Sequence, residues 1–426
     1  MDLLAIFLAL VAMVLINVPI AIALALSAVL GLFLSEGFSS LVTVALDMYD
    51  GANKFSLIAI PMFVLAGAIM NATGITRRLI AFVTALVGFV RGGLAMVSIG
   101  VSLFFAEISG SAVADVAATG SILIPEMKKR GYSAPLAAAV TSSSASLAII
   151  IPPSIPMILY AVSAGTSVEQ LFVAGVVPGL IGAAGLMGVA WWLARRYNLP
   201  VEEAFRFSRL RRTLFDSLPA FSLPVIILGG IFGGLVTATE GAGLAVVVAI
   251  GVGVWYREID WPQLKEAMLE GGIQTAVVML LVAASVLMGG FLTRAQIPQE
   301  IAAAILELTG NKYAILLILN VFFLIIGFFL HSAAAIILVV PIVVPLIQQA
   351  GIDPIHFGLV VTLNLAIGQQ TPPVASVLIT ACSIAKANIW ETSKVNLPFI
   401  AVLLVVLLLC TYVPAIPLFL VELFYR

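Results

Sequence analysis

The chain has 426 residues, 62% of them hydrophobic and only 10% charged, with a formal net charge of −1 and a mean hydropathy of +1.21. A soluble domain averages nearer half apolar and a quarter charged, so a water-soluble globule is excluded. The near-zero net charge gives no reason to expect nucleic acid or an anionic surface as partner.

In chain order, apolar runs fall near 3–33, 56–72, 93–109, 112–127, 134–163, 171–194, 218–235, 241–256, 272–292, 313–330, 332–348, 355–384 and 396–421. About 20 residues cross the hydrocarbon layer, so a multi-span, all-α membrane protein is expected. The first run begins at Leu3 with no basic region or cleavage pattern. It reads as a retained segment that crosses either once, as a long helix bent near Pro19 that puts the N-terminus in the cytoplasm, or twice, which puts the N-terminus outside. Two pairs of short runs, 93–109 with 112–127 and 313–330 with 332–348, are separated by only a few residues and read as re-entrant hairpins. The runs 134–163 and 355–384 are too long for one straight helix, and each carries a double proline near its middle. Proline lacks the backbone donor and disfavours helix at the preceding residue, so each run should be two half-helices around an unwound stretch.

Those prolines also expose a repeat. Pro152-Pro153 recurs as Pro372-Pro373, and the same offset of 220 pairs Ala114 with Ala334, Ile122 with Ile342, Pro125 with Pro345, Gly131 with Gly351 and Ser163 with Ser383. Charge orients the copies. With 56–72 running outside to inside, sixteen basic residues face the cytoplasm, and Lys54, Arg294, Lys312 and Arg426 remain outside. Lys128–Arg130 then puts the first hairpin's base inside, while uncharged Gln348–Ala350 puts the second outside, so the repeats are inverted. The resulting division is an N-terminal scaffold span and interfacial segment at 1–55, repeat 1 at 56–194, linker and scaffold helices at 195–271, and repeat 2 at 272–426. Short stretches at Thr76–Phe89 and Pro298–Leu308 read as interfacial arms. The N-terminus is expected in the cytoplasm and the C-terminus in the periplasm.

Catalytic constellations are scarce. There are two histidines, His331 and His356, two apolar-segment cysteines, Cys382 and Cys410, and no metalloprotease, serine-nucleophile or phosphate-loop motif. Chemistry concentrates instead at breaks in the helices. Ser109-Gly110-Ser111 forms the first hairpin's turn, where carbonyls and hydroxyls can replace a cation's water shell or simply let the chain reverse. Irregular backbone at membrane depth is tolerated only where it lines a cavity or is buried in protein. The second unwound stretch, Gly368-Gln369-Gln370-Thr371-Pro372-Pro373, carries amides that are costly in lipid unless they face polar partners. Asn364 and its repeat counterpart Ser144, beside Ser143, put polar groups at a similar depth in each copy, as a midplane substrate site requires. Asp115 can cap the half-helix after the first tip or sit near a cation. Glu240 reads as a helix cap. Glu107, just before the tip, can pair with an ion, a proton or a partner chain.

The stretches SGSAVADVAATGS at 109–121, IIPPSIPMILYAVSAG at 150–165, LFVAGVVPG at 171–179, TATEGAG at 237–243, GIDPIHFGLV at 351–360 and NLAIGQQTPPV at 364–374, with IPMFVLAGAIMNATG at 60–74, resemble the large membrane (M) subunit of tripartite ATP-independent periplasmic (TRAP) transporters, the DctM-like family. The resemblance covers most of the chain in the family's order. It implies a secondary active permease of the bacterial inner membrane with an elevator-type ion-transporter fold, sodium as coupling ion and no organic cofactor. It also implies a small four-helix membrane subunit (Q type), a soluble periplasmic substrate-binding protein (P type), and a carboxylate substrate such as a dicarboxylate, sialic acid or sugar acid. The small subunit is expected as a separate chain.

Carried over by motif, the first sodium site uses Ser109, Gly110 and Ser111 with Ile151 and Pro152. The second uses His331 and Ser332 with Gly368, Thr371 and Pro372. The substrate set is Ser111, Ser143, Ser144, Asn364, Gln369 and Gln370. Two departures stand out. His331 stands where the family commonly has an acid, and Gln369-Gln370 replace its usual apolar pair. The competing readings are a stand-alone carrier of related fold, a passive channel, which the paired hairpins disfavour, and an intramembrane enzyme, which the absent nucleophile–base or metal set disfavours.

Overall fold

The computed structural model describes residues 2–16, 18–201 and 204–425, with the side chains at 2–4, 7, 11, 14, 15 and 107–109 left aside. Among the described residues the regular secondary structure is all helical, with one isolated bridge between Arg91 and Val201. Among the described residues nine helices are long and apolar enough to cross a membrane. The expected runs become elements with small shifts. The first hairpin is Gly93–Ser109 followed by a return arm, Ala112–Lys129, whose middle, Val116–Gly120, is π-helical. The second is Lys312–Phe329 with Ser332–Gln349. The first broken helix runs Ala134–Ile150 and resumes at Ile155–Ala164; the second is Pro354–Gly368 and then Ser376–Ala385. Both double prolines sit in the gaps, joined by cis peptide bonds.

Three hydrogen bonds fix how the repeats are disposed. Tyr160, beyond the first break, donates from its hydroxyl to the Pro354 carbonyl at the start of the second broken helix (2.8 Å). Ser146 and Ala366, counterparts at the 220-residue offset, meet at 3.5 Å. At the base of the first hairpin, Lys128 Nζ donates to the Ala385 carbonyl at the far end of the second broken helix (2.8 Å). Start therefore meets end and middle meets middle, so the broken helices run antiparallel and cross at a pseudo-twofold axis near Ser146 and Ala366. This is the inverted repeat that the charge pattern implies.

The rest of the chain frames this core. The arms are Ile75–Val87 and Ile297–Leu308. Ile75, Leu79, Phe82 and Val83 bury one face of the first at the spacing of an amphipathic helix. Its Arg78 grips Glu258 with two bonds, 2.7 and 2.8 Å, and stacks its guanidinium 3.8 Å above the Tyr256 ring. The helix Ala59–Ala72 packs against both Ala238–Trp255 and the 34-residue Trp261–Arg294.

Three expectations shift. The run 3–33 is two helices, Asp2–Leu15 and Ile20–Glu36, that pack on one another, rather than one bent span. Fourteen residues rise only about 21 Å, short of the hydrocarbon thickness. Trp261–Arg294 runs through the division expected at 271, and Phe207–Phe232 starts inside the expected linker. Their N-terminal two or three turns carry Lys265, Glu266 and Glu270, or Arg209, Arg211 and Arg212, which hide a helix from a purely apolar reading.

Candidate functional site

The two hairpin tips open on one cavity of about 460 Å³. The first repeat contributes Gly110–Ala114, Ala117, Ile149, Ile155 and Pro156, and the second contributes His331, Ser332, Ala333 and Gln369. Ile149 and Gln369 are repeat counterparts, so the cavity sits across the pseudo-axis. Its opposite wall is Val64, Gly67, Ala68 and Asn71 from Ala59–Ala72, and Glu270, Ile273, Gln274, Val277 and Val278 from the long helix.

Each tip is tied to the unwound stretch of its own repeat. In the first, Gly110 adopts a left-handed conformation (φ 57°, ψ 10°), and its carbonyl accepts from Ile155 N at 3.3 Å. Ser111 caps the next half-helix through Ala114 N (3.5 Å), and Ser154 donates from Oγ to the Ile149 carbonyl (2.8 Å). In the second, Val374 N donates to the Phe328 carbonyl (3.1 Å), and a Cβ on Gly368 would lie only 2.6 Å from backbone atoms of Gly327. Thr371 N bonds the Gly368 carbonyl (2.9 Å), and the Thr371 hydroxyl bonds the Ile367 carbonyl (3.1 Å). Backbone carbonyls, hydroxyls and half-helix N-termini thus crowd one space. Those donors and dipoles suit anions, and the carbonyls suit cations.

The residues singled out from the sequence divide into two groups. Gly110, Ser111, His331, Ser332 and Gln369 line the cavity. His331 starts the helix Ser332–Gln349 without a side-chain cap bond and is exposed. Gln369 is 2% exposed; its carbonyl oxygen accepts from the Ser376 hydroxyl (3.3 Å), while its Nε2 finds no partner. Ile151, Pro152, Gly368, Thr371 and Pro372 lie in or beside the unwound stretches behind the tips. The side chains of Ser109 and Glu107 lie outside the described residues.

Ser143, Ser144, Asn364 and Gln370 are elsewhere. They are buried and do not line the cavity: Ser143 and Gln370 bond across the pseudo-axis, Ser144 and Asn364 within their own repeats. Ser143 Oγ lies 2.8 Å from Gln370 Oε1 and 2.6 Å from Asn396 Oδ1. Gln370 Nε2 donates to Ser146 Oγ, and Ser144 Oγ pairs with Ser98 at 3.0 Å. Asn364 Nδ2 donates to Asn320 Oδ1 (2.7 Å), whose own amide reaches the Thr411 hydroxyl (3.0 Å). The polar pattern therefore serves packing as well as the cavity. An amide at membrane depth is satisfied equally well by a neighbouring helix, and spacing alone does not separate the two uses. Asn71, Glu270 and Gln274 of the cavity wall, and Asn320 and Asn396 among these buried partners, escape the sequence reading. Asn320, a lone amide inside Ile315–Phe329, is the signal that was there to find. Glu240 is the helix cap it reads as: Thr237 and Glu240 bond reciprocally through side chain and backbone at 2.8 and 3.3 Å.

Comparison with known proteins agrees with this architecture. The family described as "Tripartite ATP-independent periplasmic transporter, DctM component" matches residues 7–416. The isethionate TRAP transporter permease protein DctMQ of Oleidesulfovibrio alaskensis is 40% identical over 95% of this chain, which spans 64% of that protein's length. The C4-dicarboxylate TRAP transporter large permease protein DctM of Pseudomonas aeruginosa is 38% identical over 89% of each chain. The 2,3-diketo-L-gulonate TRAP transporter large permease protein YiaN of Escherichia coli is 36% identical over 94% of each. In fold, the chain is similar to the crystal structure of the Alcanivorax borkumensis YdaH transporter, with a TM-score of 0.63 at 16% identity, covering 89% of this chain and 88% of that one. With its family matched over nearly its whole length and its relatives alike along most of theirs, this chain belongs to the DctM, or large permease, component of the TRAP transporters.

Proposed function

We propose that the chain is the permease of a sodium-driven, binding-protein-dependent importer of a small organic carboxylate, working by an elevator movement of the hairpin-bearing core. The observation that carries the reading is the meeting of both tips on one cavity, each hydrogen-bonded to the broken helix of its own repeat. In this reading one sodium ion sits among Ser109, Gly110, Ser111, Ile151 and Pro152, and a second among His331, Ser332, Gly368, Thr371 and Pro372. The substrate occupies the cavity, with Ser111 and Gln369 in contact and Ser143, Ser144, Asn364 and Gln370 fixing the wall behind. Three relatives named for isethionate, C4-dicarboxylates and 2,3-diketo-L-gulonate, all small organic anions, support an anionic substrate. The core that moves comprises the hairpins and broken helices of 56–194 and 272–426. The helices at 1–55 and 195–271 brace it. The partners are a small Q-type membrane subunit and a periplasmic P-type binding protein, in the bacterial inner membrane, with the C-terminus periplasmic.

The experiment is reconstitution in liposomes with and without the partners, under an imposed sodium gradient. Uptake of a carboxylate should require both the gradient and the soluble protein. Uptake by the chain alone returns the stand-alone carrier. Uptake indifferent to collapse of the sodium gradient overturns the coupling.

A further inference from the structure

Asp115 lies one turn past the first tip, on the side of the return arm turned away from the cavity that Ala112, Val113, Ala114 and Ala117 line. It is fully buried, and neither carboxylate oxygen has a hydrogen-bond partner. The Ser102 hydroxyl, equally buried on the outgoing arm, has none either. The hydroxyls of Ser102 and Thr119 adjoin the carboxyl without reaching hydrogen-bond geometry. Thr119 instead donates to the Asp115 backbone carbonyl (2.8 Å), inside a π-helical turn that locally opens the arm.

The fold does not require these groups. At the 220-residue offset the second hairpin places Phe322 for Ser102, Ala335 for Asp115 and Val339 for Thr119. A hairpin with a continuous α-helical return arm, Ser332–Gln349, is therefore built without any of the three polar side chains. An ionised carboxylate buried without a partner costs several kcal/mol, so Asp115 is either protonated here or, where ionised, held beside a positive charge. One carboxylate and neutral hydroxyls balance a single charge, which excludes a divalent ion, and all-oxygen ligands suit a hard alkali cation.

We propose that Asp115, Ser102 and Thr119 form a sodium site inside the first hairpin, separate from the sites at the two tips. This rests on the sodium coupling proposed above and adds one ion to it. Binding here would stiffen the π-helical turn behind the tip and neutralise the carboxylate before the hairpin crosses the bilayer.

The test uses Asp115→Asn, which keeps the volume and removes the charge. In the complex reconstituted with both partners, reversal-potential measurements should show one fewer positive charge moved per substrate than in the wild type. In sodium-free choline buffer the purified variant should melt at a higher temperature than the wild type, and added sodium chloride should stabilise it less. Ser102→Ala keeps the carboxylate and loses a ligand, so half-maximal sodium stabilisation should move up about tenfold; it also serves if the first variant folds poorly. A wild-type charge ratio with wild-type sodium stabilisation in Asp115→Asn overturns the site. So does a charge difference that follows pH instead of sodium. A wild type indifferent to sodium would sink the coupling itself; a sodium-dependent wild type matched by the variant would sink only this site.

Discussion

Replacing Gly110 by alanine tests whether the tip acts through its contact with the unwound stretch. Two costs arise there. Gly110 has φ of +57°, a conformation that costs a residue with a Cβ about 1–2 kcal/mol. The added Cβ would also lie 3.0 Å from the Pro153 carbonyl oxygen and 3.1 Å from Ile155 N, both backbone atoms with little freedom to move. Relieving that approach stretches the 3.3 Å bond from Ile155 N to the Gly110 carbonyl, worth about 1 kcal/mol. Gly131, at the base of the same hairpin, supplies the control. It has φ of +89° and nothing within 4 Å of its would-be Cβ, so Gly131→Ala bears the backbone cost alone. Both variants should lose thermal stability from backbone strain, Gly110→Ala by about 1 kcal/mol more for the stretched bond. Only Gly110→Ala should raise the sodium concentration for half-maximal uptake in proteoliposomes, by about fivefold to tenfold for the extra 1–1.4 kcal/mol. Equal sodium dependence in the two would refute a role for the tip contact.

Three other outcomes follow from the same geometry. His331→Asp places a carboxylate at the second tip, and the sodium concentration for half-maximal uptake should fall about tenfold, equivalent to about 1.4 kcal/mol; unchanged sodium and pH profiles would make His331 structural. Gly368→Ala drives a Cβ to 2.6 Å from the Gly327 backbone, where no side chain can swing aside. It should destabilise the chain by about 1–3 kcal/mol and depress uptake, and a wild-type melting curve would contradict the close packing of hairpin and broken helix. Arg78 holds the Glu258 carboxyl below its ordinary range, so the pair stabilises the fold above the unfolded carboxyl's pKa and that benefit is lost as pH falls through the folded one. Both side chains are about a third exposed, so Glu258→Gln should cost no more than about 1 kcal/mol at pH 7, and less still below pH 4.5.

What was legible in the sequence is what backbone chemistry dictates. Proline and glycine break helices wherever they fall in an apolar run, so the hairpins, both broken helices and their 220-residue relation could be read within a few residues of their final bounds. Charge asymmetry gave the inversion, which the antiparallel contacts Tyr160–Pro354 and Lys128–Ala385 independently carry. Helix starts such as Trp261 and Phe207 were hidden because their charged N-terminal turns lack the apolar signature of a span. Asp260, whose carboxylate accepts from Gln263 N at 2.9 Å, marks one of them only as a cap.

The site was harder to read, for a reason visible in two adjacent residues. Gln369 and Gln370 are both amides in the same unwound stretch, and composition treats them alike. The backbone turn separates them by direction. Gln369 faces the cavity with an unused N–H, while Gln370 reaches across the pseudo-axis to Ser143 and Ser146 and bonds Asn396 of its own repeat. One is placed to meet a solute, and the other locks the two repeats together at their crossing. A rigid crossing also lets each tip move with the other, because Ser143 and Ser146 belong to the first repeat and Gln370 to the second. Two inverted halves joined by polar contacts through their centre form one body. That unity is what allows two tips on opposite sides of the axis to close on a single cavity.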